Sequence, residues 1–425
     1  MLLMKEILQR AIEILKKNEK AGFVMPDSGY YEGAWLWDMG FIEMGEACLD
    51  AEKAAQRLLN FIKKSQDDNG LIPHILFFSE KTENYFPGPD VWQHGLTSGI
   101  TQPPVLGFCA LSIYENLKEK SSQKAEDFLK RIYPLLLNYH RFLFLKRDAE
   151  NSGLVSIYHP WESGLDNSPR WEEPLSKIIV TSEQVEEAKN SRRDIVDKKI
   201  AEMRPTNEDY AKYLYLIKSI RKKEFPFNVK DVLFNSILYA SNEALLSMAY
   251  EMGRESPEIG EIKGWLHSQR KGLKNLYDEA SGLYFDFDVR ANKLIKRKTI
   301  ASFSPLFAGI VNNEQAQKMA NILRGAEFKG ANSLFLIPSV ARSDRSFHPL
   351  AYWRGPVWFP VNWLVLRGFE RLGLNKEAFQ IKKALLDLVN KKGFWEYYNP
   401  NTNEGLGRRD FSWTAALVID LIKNS

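Results

Sequence analysis

Met4-Lys5-Glu6-Ile7-Leu8-Gln9-Arg10-Ala11-Ile12-Glu13-Ile14-Leu15 decides how the rest of the chain is read. Met4, Ile7, Leu8, Ala11, Ile12 and Leu15 recur at i, i+3, i+4 and i+7, which lays one apolar stripe along a helix. The same period predicts helices near 38–49, 51–65, 102–118, 124–146, 230–252, 258–277, 313–324, 357–371, 375–391 and 412–423. Loops rich in Gly, Pro, Asn and aromatic residues separate many of them. Strand signals are scarce. The clearest is Gly282-Leu283-Tyr284-Phe285-Asp286-Phe287-Asp288, which alternates apolar and acidic residues and is expected to pair with 293–298 as a hairpin. About a dozen helices without a βαβ alternation predict an all-α architecture. In-out helix pairs closing into a toroid would set alternate loops around one central pit. There is no tight repeat, which excludes a short-period solenoid.

Composition narrows the classes. Of the 425 residues, 44% are hydrophobic and 26% charged, an ordinary globular balance. A net charge of +4, with no basic stripe interleaved with aromatics, argues against nucleic acid. No apolar run reaches the about 18 residues a membrane span needs. Glu6 and Glu13 interrupt the apolar residues of the N-terminus, which does not read as a signal peptide. Cys48 and Cys109 lie in apolar helical contexts and are expected to be free thiols in a cytoplasmic protein. Aromatics reach 12% and cluster in a few segments. Such faces stack on sugar rings, although a large core also uses them.

Two of these segments carry a carboxylate each. Trp161-Glu162-Ser163-Gly164-Leu165-Asp166-Asn167-Ser168-Pro169 holds Asp166, and Phe394-Trp395-Glu396-Tyr397-Tyr398-Asn399-Pro400 holds Glu396. Their Gly, Asn, Ser and Pro residues place both acids on loops at helix ends. A loop acid among Trp and Tyr is a candidate for a tuned pKa, whereas a lone acid more often caps a helix or pairs with arginine. The second segment runs on into Gly405-Leu406-Gly407 and Phe411-Ser412-Trp413-Thr414. Upstream, Tyr30-Tyr31-Glu32-Gly33-Ala34-Trp35-Leu36-Trp37-Asp38 ends in an acid suited to paired sugar hydroxyls or to N-capping a helix that starts at Met39. Thr97-Ser98-Gly99-Ile100-Thr101-Gln102-Pro103-Pro104 reads as a polar turn projecting Gln102 at a helix entrance. In Tyr352-Trp353-Arg354-Gly355-Pro356-Val357-Trp358, a Gly-Pro break puts Arg354 between tryptophans, for an oxyanion or for a structural cation–π pair. The stretch 174–226 is rich in Lys and Glu, and composition alone makes it a solvated helical excursion.

Other chemistries fall away. Six histidines lack metal-ligand spacing, so no metal is expected. Neither GxxxxGK[ST] nor GxGxxG nor Gly-x-Ser-x-Gly occurs, which disfavours nucleotide binding and an α/β-hydrolase. Two-carboxylate hydrolysis remains.

In their order and joint presence, WESGLDNSP, TSGITQPP, YWRGPVW and FWEYYNP…GLG…DFSWTAAL resemble glycoside hydrolase family 63, especially its bacterial mannosylglycerate and glucosylglycerate hydrolases. The resemblance runs from Tyr31 to Leu417. It implies a single (α/α)6-barrel domain over 1–425 and an inverting cleavage of an α-glycosidic bond between mannose or glucose and glycerate, a compatible solute. It also implies no cofactor, a small sugar-acid substrate as the partner, and leaves room for a homo-oligomer. Asp166 matches the family's general acid and Glu396 its general base, with Glu404 as a competing base in the same C-terminal loop. Residues matching Trp35, Trp37, Asp38, Trp353, Arg354, Gly355 and Trp358 would hold the sugar, with Tyr352 in the same motif. Tyr31, Gln102, Arg204 and Tyr210 would hold glycerate. Because Arg204 and Tyr210 fall inside 174–226, the resemblance turns that stretch into a lid. The alternatives are an α-glucosidase for neutral oligosaccharides or trehalose-like disaccharides, which needs an open groove, and a non-catalytic carbohydrate-binding barrel.

Overall fold

A computed structural model describes residues 2–193, 203–253, 257–329 and 335–424. Residues 194–202 of the expected lid lie outside this set. Each expected helix forms, most with ends shifted by a few residues. The largest shift is in the 102–118 prediction, whose helix is Leu106–Lys120 and leaves Gln102, Pro103 and Pro104 in extended chain before it.

The stretch Leu36–Ser65 is two helices and not one. Asp50 breaks it with non-helical φ −138° and ψ 87°. Arg57 then lies 3.7 Å from Glu43 and 3.8 Å from Glu46. On a straight helix, Glu43 and Arg57 would stand about 21 Å apart, so the chain reverses at Asp50.

Helix–helix neighbours close a ring. The segment 36–49 packs on Leu106–Lys120, which packs on Val232–Glu251. Pro305–Ala308, Phe359–Arg371 and Ser412–Lys423 follow, and the last returns to the first. Outer helices back this ring: 51–65, Ser122–Arg147, Pro257–Lys274, Asn313–Arg324, Asn375–Lys392 and Leu2–Lys17. This is the all-α architecture that the helical period predicts, in the (α/α)6 arrangement that the resemblance implies. The inner member Pro305–Ala308 is not among the expected helices. It is four residues long, preceded by the 3-10 turn Ile300–Phe303, and one turn is too short to display a 3.6-residue period. Val232–Glu251 is apolar nearly all round because it is buried between its ring neighbours and its outer partner. Its N-terminus is capped by Asp231, which accepts from the Leu233 and Phe234 amides at 2.6 and 3.0 Å.

Short strands occupy the loops. Gly33–Trp35 pairs antiparallel with Ile75–Phe77, and Trp395–Tyr398 pairs with Gly405–Arg409. The expected hairpin forms only in part. Asp286–Asp288 pairs with Lys293–Ile295 and with Val229–Lys230, while Leu283–Tyr284 pairs instead with Tyr277–Asp278. Among the described residues, no helix is long and apolar enough to cross a membrane, and no cluster of His, Cys, Asp and Glu could hold a metal ion. Cys48 and Cys109 are free, and Cys109 is buried.

Candidate active site

One pocket at the loop end gathers Asp166, Glu396, Asp38, Tyr31, Trp35, Trp37, Gln102, Arg204, Tyr210, Tyr352 and Trp353. The Asp166 segment is held from within. Glu162 is fully buried and bidentate with Arg147, at 2.9 and 3.0 Å, and also accepts from the Thr101 and Tyr158 amides. Gly164 has φ +72°, and a Cβ there would stand 2.8 Å from the Trp37 ring, so glycine is required both by the turn and by the close approach. The Trp171 indole donates to the Leu165 carbonyl at 2.9 Å, and the Tyr213 hydroxyl donates to the Asp166 carbonyl at 3.2 Å. Asn167 accepts from the Trp353 amide at 2.9 Å, which ties this loop to the YWRGPVW loop. Asp166 itself keeps part of its surface open toward the pocket. Burial raises its pKa, Arg204 offsets part of the rise, and Glu396 adds to it, so that the carboxyl is pushed up to about 8.

Glu396 sits on the strand Trp395–Tyr398, not on a loop at a helix end as the flanking Asn and Pro suggest. The strand is fixed to Val357 by two backbone bonds through Tyr398, at 2.8 and 2.9 Å. Three donors reach the carboxylate: the Tyr31 hydroxyl at 2.9 Å, the Arg408 amide at 3.0 Å and the Tyr352 hydroxyl at 3.5 Å. Burial raises its pKa, against the pull of Arg204, the Arg408 amide and Tyr31. Gly407, at φ +71°, lets the returning strand pass. A Cβ there would lie 2.3 Å from a Glu396 carboxylate oxygen. Tyr31 is itself placed by Asp27, whose carboxylate accepts from the amides of Gly29, Tyr30 and Tyr31 at 2.8–3.2 Å. Glu404 stands outside the pocket, exposed and paired with Lys392.

Asp38 does not cap a helix. The helix begins at Leu36 with Trp35 as its N-cap residue, so Asp38 lies within the first turn. Burial, and then the nearby Glu396 and Asp166 charges, raise its pKa well above the ordinary value. Gln102 is not in a helix entrance either. Its Oε1 accepts from the Trp37 amide at 3.3 Å, satisfying a free donor of a different helix.

Aromatic rings form the rest of the wall. Tyr31 meets Trp35 edge-on at 5.0 Å, and Trp37 lies 6.2 Å from Trp353 and 5.4 Å from Trp413. Three residues expected at the sugar stand behind this wall instead. Trp358 stacks on Trp353 at 3.7 Å and donates to the Tyr352 carbonyl at 3.0 Å. Gly355 lets the His348 carbonyl approach to within 2.4 Å of where a Cβ would be. Arg354 turns away to Glu172 at 2.6 Å. The structural alternative for Arg354 is pairing with tryptophan, and its partner proves to be a carboxylate.

Arg204 and Tyr210 close one side. The Arg204 guanidinium lies over the Tyr352 ring at 4.1 Å. Tyr210 is set by the helix Asn207–Arg221, which starts in a capping box between Thr206 and Asp209. Arg192 fastens this turn, donating to the Pro205 carbonyl at 2.7 Å and to Asn207 at 3.0 Å.

Sequence reasoning left out Pro26, Tyr30, His74, Tyr85, Phe86, Trp161, Gly164, Phe411 and Trp413 as pocket-lining residues. Tyr30, Trp161, Gly164, Phe411 and Trp413 lie inside segments already singled out. Tyr85 and Phe86 precede Pro87-Gly88-Pro89, a loop signal without a chemical one. His74 carries no local signal. The assembled site offers two carboxyls with different surroundings and a guanidinium, enough to protonate one atom and deprotonate another beside an anion.

A family model described as mannosylglycerate hydrolase MGH1-like glycoside hydrolase domain matches residues 30–414. The chain is 40% identical over 424 residues to mannosylglycerate hydrolase of Thermus thermophilus, covering 96% of this chain and 99% of that one. It is 32% identical over 439 residues to glucosylglycerate hydrolase of Mycolicibacterium hassiacum, covering 98% and 97%. The crystal structure of GH63 mannosylglycerate hydrolase from Thermus thermophilus in complex with Tris and D-glycerate aligns with a TM-score of 0.88 at 38% identity, over 97% of this chain and 99% of that one.

Proposed function

The chain belongs to the mannosylglycerate hydrolase MGH1-like glycoside hydrolase family, and from that premise we propose that it cleaves an α-hexosylglycerate by inversion, with Asp166 as acid and Glu396 as base. The carrying observation is that both carboxyls line one pocket with the guanidinium of Arg204. A cation beside the scissile bond suits a leaving group that bears a carboxylate. Planar, two-pronged guanidinium geometry selects an acid over a neutral polyol.

In this reading Asp166, protonated through neutral pH because burial pushes it up to about 8, gives its proton to the glycerate oxygen as the bond breaks. Glu396, steadied by Tyr31 and Arg408, takes a proton from water attacking the opposite face of the sugar. Inverting pairs stand about 6.5–9.5 Å apart to admit that water. Asp38 and the Trp35, Trp37 and Trp353 faces bind the hexose, while Arg204, Tyr210, Tyr31 and Gln102 bind the glycerate. The described parts of the 174–226 segment, 174–193 and 203–226, serve as the lid that carries Arg204 and Tyr210 at the site. A neutral oligosaccharide would need an open groove where those two residues stand.

The test is a product assay on mannosylglycerate, glucosylglycerate, trehalose and maltose, with NMR of the sugar first released. Turnover of a hexosylglycerate with initial β-anomer is expected. Preference for trehalose or maltose would sink the substrate reading, and initial α-anomer would sink inversion.

A further inference from the structure

The hydrogen bonds around His74 fix which ring nitrogen carries its proton. The His74 amide donates to the Ile100 carbonyl at 2.8 Å. Its Nδ1 makes a short hydrogen bond with the Ser98 hydroxyl, and Ser98 Oγ lies 3.2 Å from the same Ile100 carbonyl. A carbonyl cannot donate. Both contacts of Ser98 hold a hydrogen only if the hydroxyl donates to Ile100 and accepts from His74 Nδ1–H. Nε2 is then left with a bare lone pair.

That lone pair belongs to the pocket. His74 is only 2% exposed, yet its ring lines the cavity. Nε2 has no partner among the described residues and is not one of the sealed, unpaired atoms of the interior. The ring runs nearly parallel to Trp161, at 21° and 6.5 Å, and Trp161 meets Tyr210 edge-on at 6.2 Å. His74 thus stands on the wall shared with the Arg204–Tyr210 side. Burial, and then the His159 ring, hold its pKa well below the ordinary value, so the imidazole stays neutral. Gln102 complements it, since its oxygen already accepts from the Trp37 amide and its NH2 is available to donate.

We propose that His74 reads the C3 hydroxyl of the glycerate leaving group, Nε2 accepting its hydrogen while Arg204 holds the carboxylate. The proposal rests on the hexosylglycerate reading. Glycerate spends its C2 oxygen in the glycosidic bond, so its only free hydroxyl is at C3. Lactate has a methyl group in that place. A site that leaves a buried acceptor unpaired when the hydroxyl is missing discriminates against the analogue lacking it.

The experiment uses the whole enzyme labelled with 15N-histidine, together with His74→Phe and His74→Gln. Free enzyme should show an unprotonated Nε2 and a protonated Nδ1, and D-glycerate, not D-lactate, should shift Nε2. His74→Phe should lose about 10–100-fold in kcat/KM on hexosylglycerate and stay within about twofold on the 2-O-hexosyl lactate, which never used the bond. His74→Gln should recover part of the loss through its side-chain oxygen. Equal losses on both substrates, or a protonated Nε2 in the free enzyme, would overturn the proposal. If wild-type enzyme cleaves no hexosylglycerate, the substrate reading fails on its own, and the response of Nε2 to D-glycerate against D-lactate still decides the role of His74.

Discussion

Asp166 and Glu396 are two carboxyls on one pocket, and they differ in what reaches them. Glu396 accepts from two tyrosine hydroxyls and a backbone amide. Asp166 receives no donor from another residue among those described, and the hydrogen bonds of its segment end on its backbone. Desolvation pushes both pKa values up, but Glu396 has donors from two other residues, Arg408 and Tyr31, that favour its ionised form, whereas Asp166 has only its own backbone amide. In the proposed mechanism this difference in partners is what assigns the proton donor to one side and the proton acceptor to the other. Partner count, not residue type, separates them.

The sharpest way to break this comparison is to remove the proton from each. Asp166→Asn and Glu396→Gln should each lower kcat by about 10²–10⁴-fold with KM little changed, measured on the hexosylglycerate that the product assay identifies. A Glu396→Gln enzyme near wild-type, with Glu404→Gln dead, would move the base to the exposed strand end and leave Tyr31 with no base to steady. Next in size is Arg204→Ala, which removes the cation that lowers both carboxyls. It should cost about 3–5 kcal/mol of transition-state binding on a charged leaving group and far less on a glycerol glycoside. Equal losses would mean that Arg204 does not read the acid.

Tyr31→Phe tests the partner count directly. It deletes a donor that lowers the Glu396 pKa, so the acidic limb of the kcat/KM profile should move to higher pH, with about tenfold lower activity at the old optimum. The basic limb, set by Asp166 near 8, should stay in place. Movement of the basic limb alone would reverse the two roles.

The smallest effect is on stability. Between the ordinary 3.8 and the folded value of about 8, the unfolded chain ionises Asp166 while the folded chain does not. Folding stability from this group is fully present below about pH 4 and is lost as the pH climbs to about 8. Asparagine carries no charge, so Asp166→Asn should melt about 2–4 °C above wild type at pH 8, with the difference gone at pH 4. A lower Tm at pH 8 would mean that the Asp166 carboxylate is stabilised in the fold.

Local spacing settled a good deal. The 3.6-residue period identified eleven of the twelve barrel helices, because an apolar stripe over three or more turns has one geometric meaning. Loop chemistry marked the 161–169 segment, where Gly164 is needed for a left-handed turn against Trp37. Motif order across the chain supplied the resemblance. Only the tertiary structure decided the rest, because burial and hydrogen-bond partners come from segments hundreds of residues apart. Glu396 meets Tyr31 across 365 positions. Arg354, flanked by pocket aromatics in sequence, turns out to face Glu172. Glu404 belongs to the right loop yet lies on its solvent side. His74 has no pattern around it, and only the folding of Ser98 and Ile100 against it aims its bare nitrogen into the pocket. Periodicity records which face of an element is apolar. Which polar groups converge, and how much water they keep, is fixed by how the loops close over the ring.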